Sequence, residues 1–359
     1  MKSHHIFTTE ISIRGISLSQ KGILAKHLAV MLKSGVPISQ TLATAEESST
    51  GRLADVIRNI RAAVESGRTL SSAMADHSSA FDGLFLNMVK AGEISGTLVE
   101  NLEQISKQMG KERQLREKIK SAMVYPSIIL AGSIILGVVF AFVILPQVTP
   151  LFKGLRIDLP FTTRALIATA DIVDRYGGFL LGGMSVGIVA LWWLAHRTFL
   201  RPAISWMLLH IPISRPIVKS SNLVRFSYTL GMLLQSGIDI DESLHVTSSV
   251  MGNYHYQKAM KRMEEAVQGG AKLADNLEKF PHLFPQLLVQ MVRVGEDSGK
   301  FEETLFFTAE FYEDQLDTAT KSLSAAIEPI LLLLIGSIVA FLALSIITPI
   351  YDITGNIQR

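Results

Sequence analysis

Three uncharged apolar stretches constrain this chain more than any other feature. Between Lys120 and Lys153 run 32 residues without a formal charge, and Ser127 to Leu145 is nearly all apolar. Between Arg175 and His196 run 20, and between Glu328 and Asp352 run 23. A helix needs about 20 apolar residues to cross a hydrocarbon core of about 30 Å, and each stretch is long enough. A helix of this kind in water would lack a polar face for solvent. The sequence therefore predicts an all-α integral membrane protein with three transmembrane helices, at 124–146, 176–196 and 327–349. Composition agrees: 18% of the 359 residues are charged, against about 25% in soluble domains. The absence of cysteine excludes a disulfide scaffold, iron–sulfur clusters and thiolate-bound zinc. A formal net charge of +2 is too mild to predict a nucleic-acid partner.

Residues 1–20 carry no apolar run with a small-residue cleavage site, so 1–17 reads as a short leader and not as a signal peptide. Orientation follows the basic residues beside each span. Lys107, Lys111, Arg113, Arg116, Lys118 and Lys120 precede the first, and Arg197, Arg201, Arg215, Lys219 and Arg225 follow the second. The 147–175 loop offsets Lys153, Arg156, Arg164 and Arg175 with Asp158, Asp171 and Asp174. The N terminus and the segment 199–325 are thus predicted to be cytoplasmic, with the 147–175 loop and a 350–359 tail outside.

The chain is also a duplication. At an offset of 203, Met88-Val89-Lys90-Ala91-Gly92-Glu93 faces Met291-Val292-Arg293-Val294-Gly295-Glu296. Ser95-Gly96 then faces Ser298-Gly299, Pro126 faces Pro329 and Pro146 faces Pro349. Nearer the start of each copy the offset is 202, so that Ser34-Gly35 faces Ser236-Gly237. The repeat is a helical module followed by a span: module 1 at 18–123 and module 2 at 225–326, with 197–224 as connector. The middle span has no counterpart. It returns the second module to the side of the first.

Each module reads as a compact helical bundle. Apolar residues from Ile23 to Leu32 recur at helical spacing, and Ser34-Gly35 closes the run. Helices follow at 38–48, over the stripe Leu53 to Val64, at 71–77 and at 82–91. A last helix restarts after Ser95-Gly96-Thr97 and meets no breaker before Pro126.

The repeated turns Gly92-Glu93-Ile94-Ser95-Gly96 and Gly295-Glu296-Asp297-Ser298-Gly299 are the candidate functional residues, as helix turns or partner contacts. They are not phosphate loops, since Lys300 is followed by Phe301 where that motif needs Ser or Thr. Glycine ends one helix, Ser95 or Ser298 helps start the next, and Glu93 and Glu296 satisfy exposed amides or face a partner. Gly183-Met184-Ser185-Val186-Gly187 matches a nucleophile elbow but sits inside an apolar span. With Gly178 and Gly182 its glycines suit close helix packing. No metal-ligand or cofactor pattern appears. The long helices oppose in sign: Lys107, Lys111 and Gln114 correspond to Glu310, Asp314 and Asp317. They either face each other or offer opposite charges to a partner.

Two modules each ending in a span, with Leu32-Lys33-Ser34-Gly35-Val36 and Leu234-Gln235-Ser236-Gly237-Ile238 early and the Gly-Glu-x-Ser-Gly turns later, resemble a known family. Tyr125-Pro126 and Glu328-Pro329 likewise resemble its prolines at the start of spans. The family is that of the inner-membrane platform proteins of type II secretion systems and type IV pilus machines (GspF/PilC). The resemblance implies a non-catalytic, homo-oligomeric scaffold in the inner membrane without a cofactor. Its implied partners are a cytoplasmic hexameric ATPase, pilin or pseudopilin subunits and other inner-membrane assembly proteins. The alternative is a small transporter or channel, against which stand three spans with almost no ionisable groups.

Overall fold

The computed structural model describes residues 16–144, 146–147, 150, 161–196, 200–212 and 214–357, and within the apolar helices it leaves some side chains undescribed. The leader up to residue 15 and most of the 147–160 loop, with Lys153, Arg156 and Asp158, lie outside the described residues. Every regular element among the described residues is helical.

Module 1 consists of α1 (Leu18–Lys33), α2 (Ile38–Glu47), α3 (Arg52–Glu65), α4 (Leu70–Ala75), α5 (Gly83–Ser95) and α6 (Leu98–Val139), the last continuing as a π-helical turn at Phe140–Ile144. Then come α7 (Phe161–His196) and α8 (Arg201–His210). Module 2 consists of α9 (Arg215–Gln235), α10 (Ile240–Val250), α11 (Tyr254–Gln268), α12 (Leu273–Glu278), α13 (Gln286–Ser298) and α14 (Phe301–Ile357). At the 202 and 203 offsets the six helices of one module fall on the six of the other. The predicted helix order holds in both copies.

Local chemistry explains these bounds. Ser17 opens α1 with a capping box, its hydroxyl accepting from the Gln20 amide while the Gln20 side chain accepts from the Ser17 amide. Thr69 and Asp82 cap α4 and α5 by a single bond each, accepting from the amides of Ser72 and Phe85. Ser34-Gly35 and Ser236-Gly237 end α1 and α9, with both glycines in the left-handed region at φ 81° and 76°.

The chain divides into two units: Met1–Glu117 with Leu208–Leu316, and Lys118–Met207 with Asp317–Arg359. The first unit contains two cores. One gathers Leu28, Leu42, Ile57, Ile60, Met74, Phe81, Phe85 and Met88 from α1–α5. The other gathers Phe226, Tyr256, Met260, Met263, Phe284 and Leu288. The two modules are not independent bundles, however, because Met232, Leu233 and Val246 of α9 and α10 belong to the module 1 core. Fully burying such an apolar side chain is worth about 1.5–3 kcal/mol relative to leaving it in water.

In the second unit the predicted three spans are met in part. Among the described residues one helix, Leu98–Ile144, is long and apolar enough to cross a membrane. Its Ile128, Ile135 and Leu136 are exposed. The other two apolar stretches lie within α7 and α14, where many side chains fall outside the described residues. Two helices extend beyond the apolar stretches that they contain. Helix α7 starts at Phe161, well inside the expected external loop, and α14 runs through Ile357 without ending before the 350–359 tail. The expectation for the glycines of the middle span falls where many neighbouring side chains lie outside the described residues. No described atom lies within 4 Å of a Cβ built at Gly178, Gly182, Gly183 or Gly187. The close approach is at Gly177, where a Cβ would stand 2.5 Å from Cε1 of Phe142.

Candidate functional site

The two Gly-Glu-x-Ser-Gly segments adopt the same geometry. Both form the last turn of a helix, α5 or α13, and not the loop after it. The Ser95 hydroxyl donates to the Ala91 carbonyl at 2.7 Å and Ser298 to the Val294 carbonyl at 2.6 Å. Both serines therefore bond back into the helix that they finish, and the Ser95 hydroxyl also lies 2.7 Å from Oγ1 of Thr97, the residue before α6. Gly96 and Gly299 follow in the left-handed conformation, φ 75° and 69°, which turns the chain into α6 or α14.

Gly92 and Gly295 lie where the returning helix crosses. A Cβ at Gly92 would meet Cα of Leu98 at 2.8 Å, and one at Gly295 would overlap Thr304 Oγ1 and stand 3.1 Å from Cα of Phe301. Glycine is needed for backbone proximity here. The Glu93 carboxylate accepts from the backbone amides of Leu70 and Ser71, the latter at 2.9 Å, and Glu296 accepts from Leu273 at 2.9 Å and Ala274 at 3.2 Å. Each carboxylate thus caps the first turn of a six-residue helix, α4 or α12, where orphan amides and the helix dipole both favour an anion. Of the two roles open to these glutamates, the structure occupies the one that satisfies exposed amides.

Tyr125 is exposed on α6, and Pro126 and Pro329 lie inside unbroken helices, α6 and α14. The side chains of Pro126 and Glu328 lie outside the described residues.

The link between the modules is a groove of about 580 Å³ whose walls include Gln108, Lys111, Arg225, Tyr228, Glu310 and Glu313. Helices α6 and α14 face each other across it, one of the two arrangements their opposed charges allow. Lys111 pairs with Glu313 at 2.8 Å, one residue from the Asp314 that the repeat alignment sets against it. Arg225 of α9 grips Glu112 of α6 with two bonds of 2.9 Å, at side-chain exposures of only 15% and 13%. Gln108 donates to Thr229 Oγ1 at 3.1 Å, Gln104 to Gln235 at 3.0 Å, and Asn87 of α5 to Glu242 of α10 at 3.0 Å. Tyr228 stacks edgewise on Phe306 at 5.5 Å, and burial raises its phenol pKa, with Lys111 opposing. Sequence reasoning missed Arg225, Glu112 and Asn222. Asn222 accepts from the amides of Gly252 and Asn253 and so fixes the start of α11.

The groove mixes both signs of charge along interdigitated side chains, which suits an internal interface better than a ligand site. Among the described residues no three His, Asp or Glu side chains gather as a metal centre.

The sequence model described as "Type II secretion system (T2SS), protein F" matches twice, over residues 24–146 and 226–349. The two matches coincide with the two modules and the apolar stretch that ends each. The chain belongs to the type II secretion system protein F family. Similar proteins include type IV pilus assembly protein PilC of Thermus thermophilus, 32% identical over 96% of this chain and 85% of the relative. PilC of Myxococcus xanthus is 30% identical over 94% and 81%. Type II secretion system protein F of Vibrio cholerae is 28% identical over 96% and 85%. The family match spans both copies of the Gly-Glu-x-Ser-Gly turn, and in both the turn serves the fold.

Proposed function

We propose that this chain is the inner-membrane platform of a type II secretion or type IV pilus assembly machine. It would hold pilin-type subunits at the membrane and couple them to a cytoplasmic hexameric ATPase. The observation that carries the reading is the double family match in register with two helical modules, each followed by an apolar stretch. The relatives' names divide between pilus assembly and secretion, so the proposal covers both machines. In this reading the apolar stretches within α6, α7 and α14 are three spans, with the modules and the N terminus cytoplasmic and the 147–175 loop and C terminus outside. The positive-inside bias supports that orientation.

A platform role also fits the energetics of the first unit. The modules are joined by shared core side chains and a half-buried ion pair, so a force on one is transmitted to the other as to a single body. No catalytic group is assigned, and the role is a scaffold's. The test is deletion of the gene in its host, with rescue by the intact chain, together with gentle extraction and identification of co-purifying proteins. A hexameric ATPase and pilin-like subunits in the extract, and loss of pili or secretion on deletion, are expected. Intact pili and secretion in the deletion strain would refute the proposal. Charge reversal at Glu93 or Glu296 is the wrong probe of partner contact, because it would unseat α4 or α12 first.

A further inference from the structure

The repeat permits a comparison that neither module allows alone: the same surface in two environments. In module 2 the α9–α10 face is covered, and its occupant is the α5–α6 face of module 1. The contacts are Arg225 with Glu112, Thr229 with Gln108, Gln235 with Gln104 and Met232 with the module 1 core. By the repeat offsets, the matching face of module 1 is α1–α2, with Ile23, His27, Lys33 and Val30 at those four positions. The face that would cover it is α13–α14, with Gln315, Phe311 and Phe307 in place of Glu112, Gln108 and Gln104.

Both of these faces are open in the single chain. Ile23 and Val30 are each 54% exposed and Phe307 is 56% exposed, with Phe311 also exposed, whereas Gln108, Thr229 and Met232 at the matching positions are buried. Beside Ile23, His27 and Val30 lies an open groove of about 470 Å³. The substitution runs against solubility. Ile23, Phe311 and Phe307 of the uncovered faces stand where the covered interface has Arg225, Gln108 and Gln104, and the exposed Val30 stands where it has the buried Met232. Exposed apolar side chains grouped in this way on a water-facing module mark a contact surface. Charge agrees as well: Lys26 borders the groove, Glu310 lies on α14 where the open face meets the groove between the modules, and neither has an ion-pair partner among the described residues.

We infer that the occupant of the α1–α2 face is a second copy of this chain. Its α13–α14 face would seat as α5–α6 seats on α9–α10 within the chain. Such a contact is heterologous, joining two different patches, and it propagates into a closed ring or a longer array. A twofold pairing of the modules is ruled out within the chain, because it would bury His27 against Phe311 as Thr229 is buried against Gln108, and both are exposed. Ile23, Val30, Phe307 and Phe311 are then interface anchors, and His27 packs against an aromatic ring. The inference does not depend on which machine the chain serves.

The chain has no cysteine, so introduced thiols report unambiguously. The full chain in lipid nanodiscs carries His27→Cys in one preparation and Phe311→Cys in another. Mixed after detergent exchange and treated with a short bis-maleimide, they should give a cross-linked dimer at least tenfold faster than either variant alone. His27→Cys/Phe311→Cys in one chain should give a ladder of higher oligomers. Gln104→Cys/Gln235→Cys, bridged within one chain, verifies the fold and the reagent. Phe307→Asp/Phe311→Asp should reduce the mass by light scattering to one chain while that internal bridge still forms. If the internal bridge forms but the mixed pair gives no dimer, the inference is overturned. A His27–His27 dimer as fast as the mixed one, adducts only to a different protein, or an unchanged mass in the Asp variant would overturn it equally.

Discussion

The pair between Arg225 and Glu112 is the strongest polar link between the modules, and its removal has a calculable effect. Two charge-assisted bonds of 2.9 Å join groups exposed to 15% and 13%. Arg225 also packs over Gly252, where a Cβ would stand 2.6 Å from its Nη1. An exposed ion pair contributes about 0–1 kcal/mol, whereas breaking a fully buried one costs about 3–5 kcal/mol by stranding a charge. This pair lies between those limits, so Glu112→Ala should cost about 2–3 kcal/mol. Arg225→Ala should cost less, about 1–2 kcal/mol, because Glu112 keeps its 2.7 Å bond to Arg116. Arg225→Ile/Glu112→Gln strands neither charge, so it should recover at least half of the summed loss. Hydrogen exchange of α9 amides, read by mass spectrometry on the full chain in micelles, measures the local opening free energy. Glu112→Ala should speed exchange over 226–234 by about 30- to 140-fold, since 1.4 kcal/mol is a factor of ten. A double-mutant coupling below about 0.5 kcal/mol would refute the claim that this contact holds the modules together.

Three further outcomes are expected. Glu93→Ala and Glu296→Ala should each destabilise their module by about 1–2 kcal/mol through loss of a helix cap, seen as faster exchange at Leu70–Ser71 or Leu273–Ala274, and Gln should restore part of it because it keeps one acceptor. Gly92→Ala should cost about 1–3 kcal/mol by overpacking, because the obstructing atom is the Leu98 backbone, whereas Gly178→Ala, with no described atom within 4 Å, should be tolerated in the same thermal-melt comparison. Burial pushes the Tyr312 phenol up to about 12 and raises Tyr256 further, so the folded state holds those protons after the unfolded chain, at about 10, has released them. Stability from these groups is complete below pH 10 and falls above it by about 1.4 kcal/mol per pH unit for each. Circular dichroism melts between pH 9 and 12 should show that fall, reduced in Tyr312→Phe.

The repeat made most of the fold legible. Helix starts and stops were set by Ser-Gly closures at 34–35 and 236–237 and by stripes such as Leu53 to Val64, and both are local signals. Three features escaped because they are tertiary. Glu93 caps an amide 23 residues earlier, and no local pattern pairs a helix's last turn with the first turn of another. Gly92 and Gly295 looked like turn residues, but their role is set by what crosses them. Gly177 was passed over for its neighbours because spacing alone does not say which glycine of a small-residue stripe meets a ring. The opposed charges of α6 and α14 left a facing pair and a shared partner both open, and the structure has the facing pair with Glu313 in place of Asp314, since helix rotation decides which of two adjacent acids points inward.

Where the two modules agree and where they differ divides the sequence by physical role. Positions kept in both copies serve needs that both share: Gly92 and Gly295 beneath a crossing helix, Glu93 and Glu296 on orphan amides, Gly96 and Gly299 at positive φ. A substitution at one of these would have the same consequence in either module, so both copies are held to the same residue. Positions that differ are those whose surroundings differ. Arg225 against Ile23, Thr229 against His27 and Gln108 against Phe311 each contrast a covered site with an open one. If the open faces met only water, divergence should have carried them toward polar residues. That Ile23 and Phe311 stand in the open where the covered faces have Arg225 and Gln108 is what the inferred contact with a second copy would require.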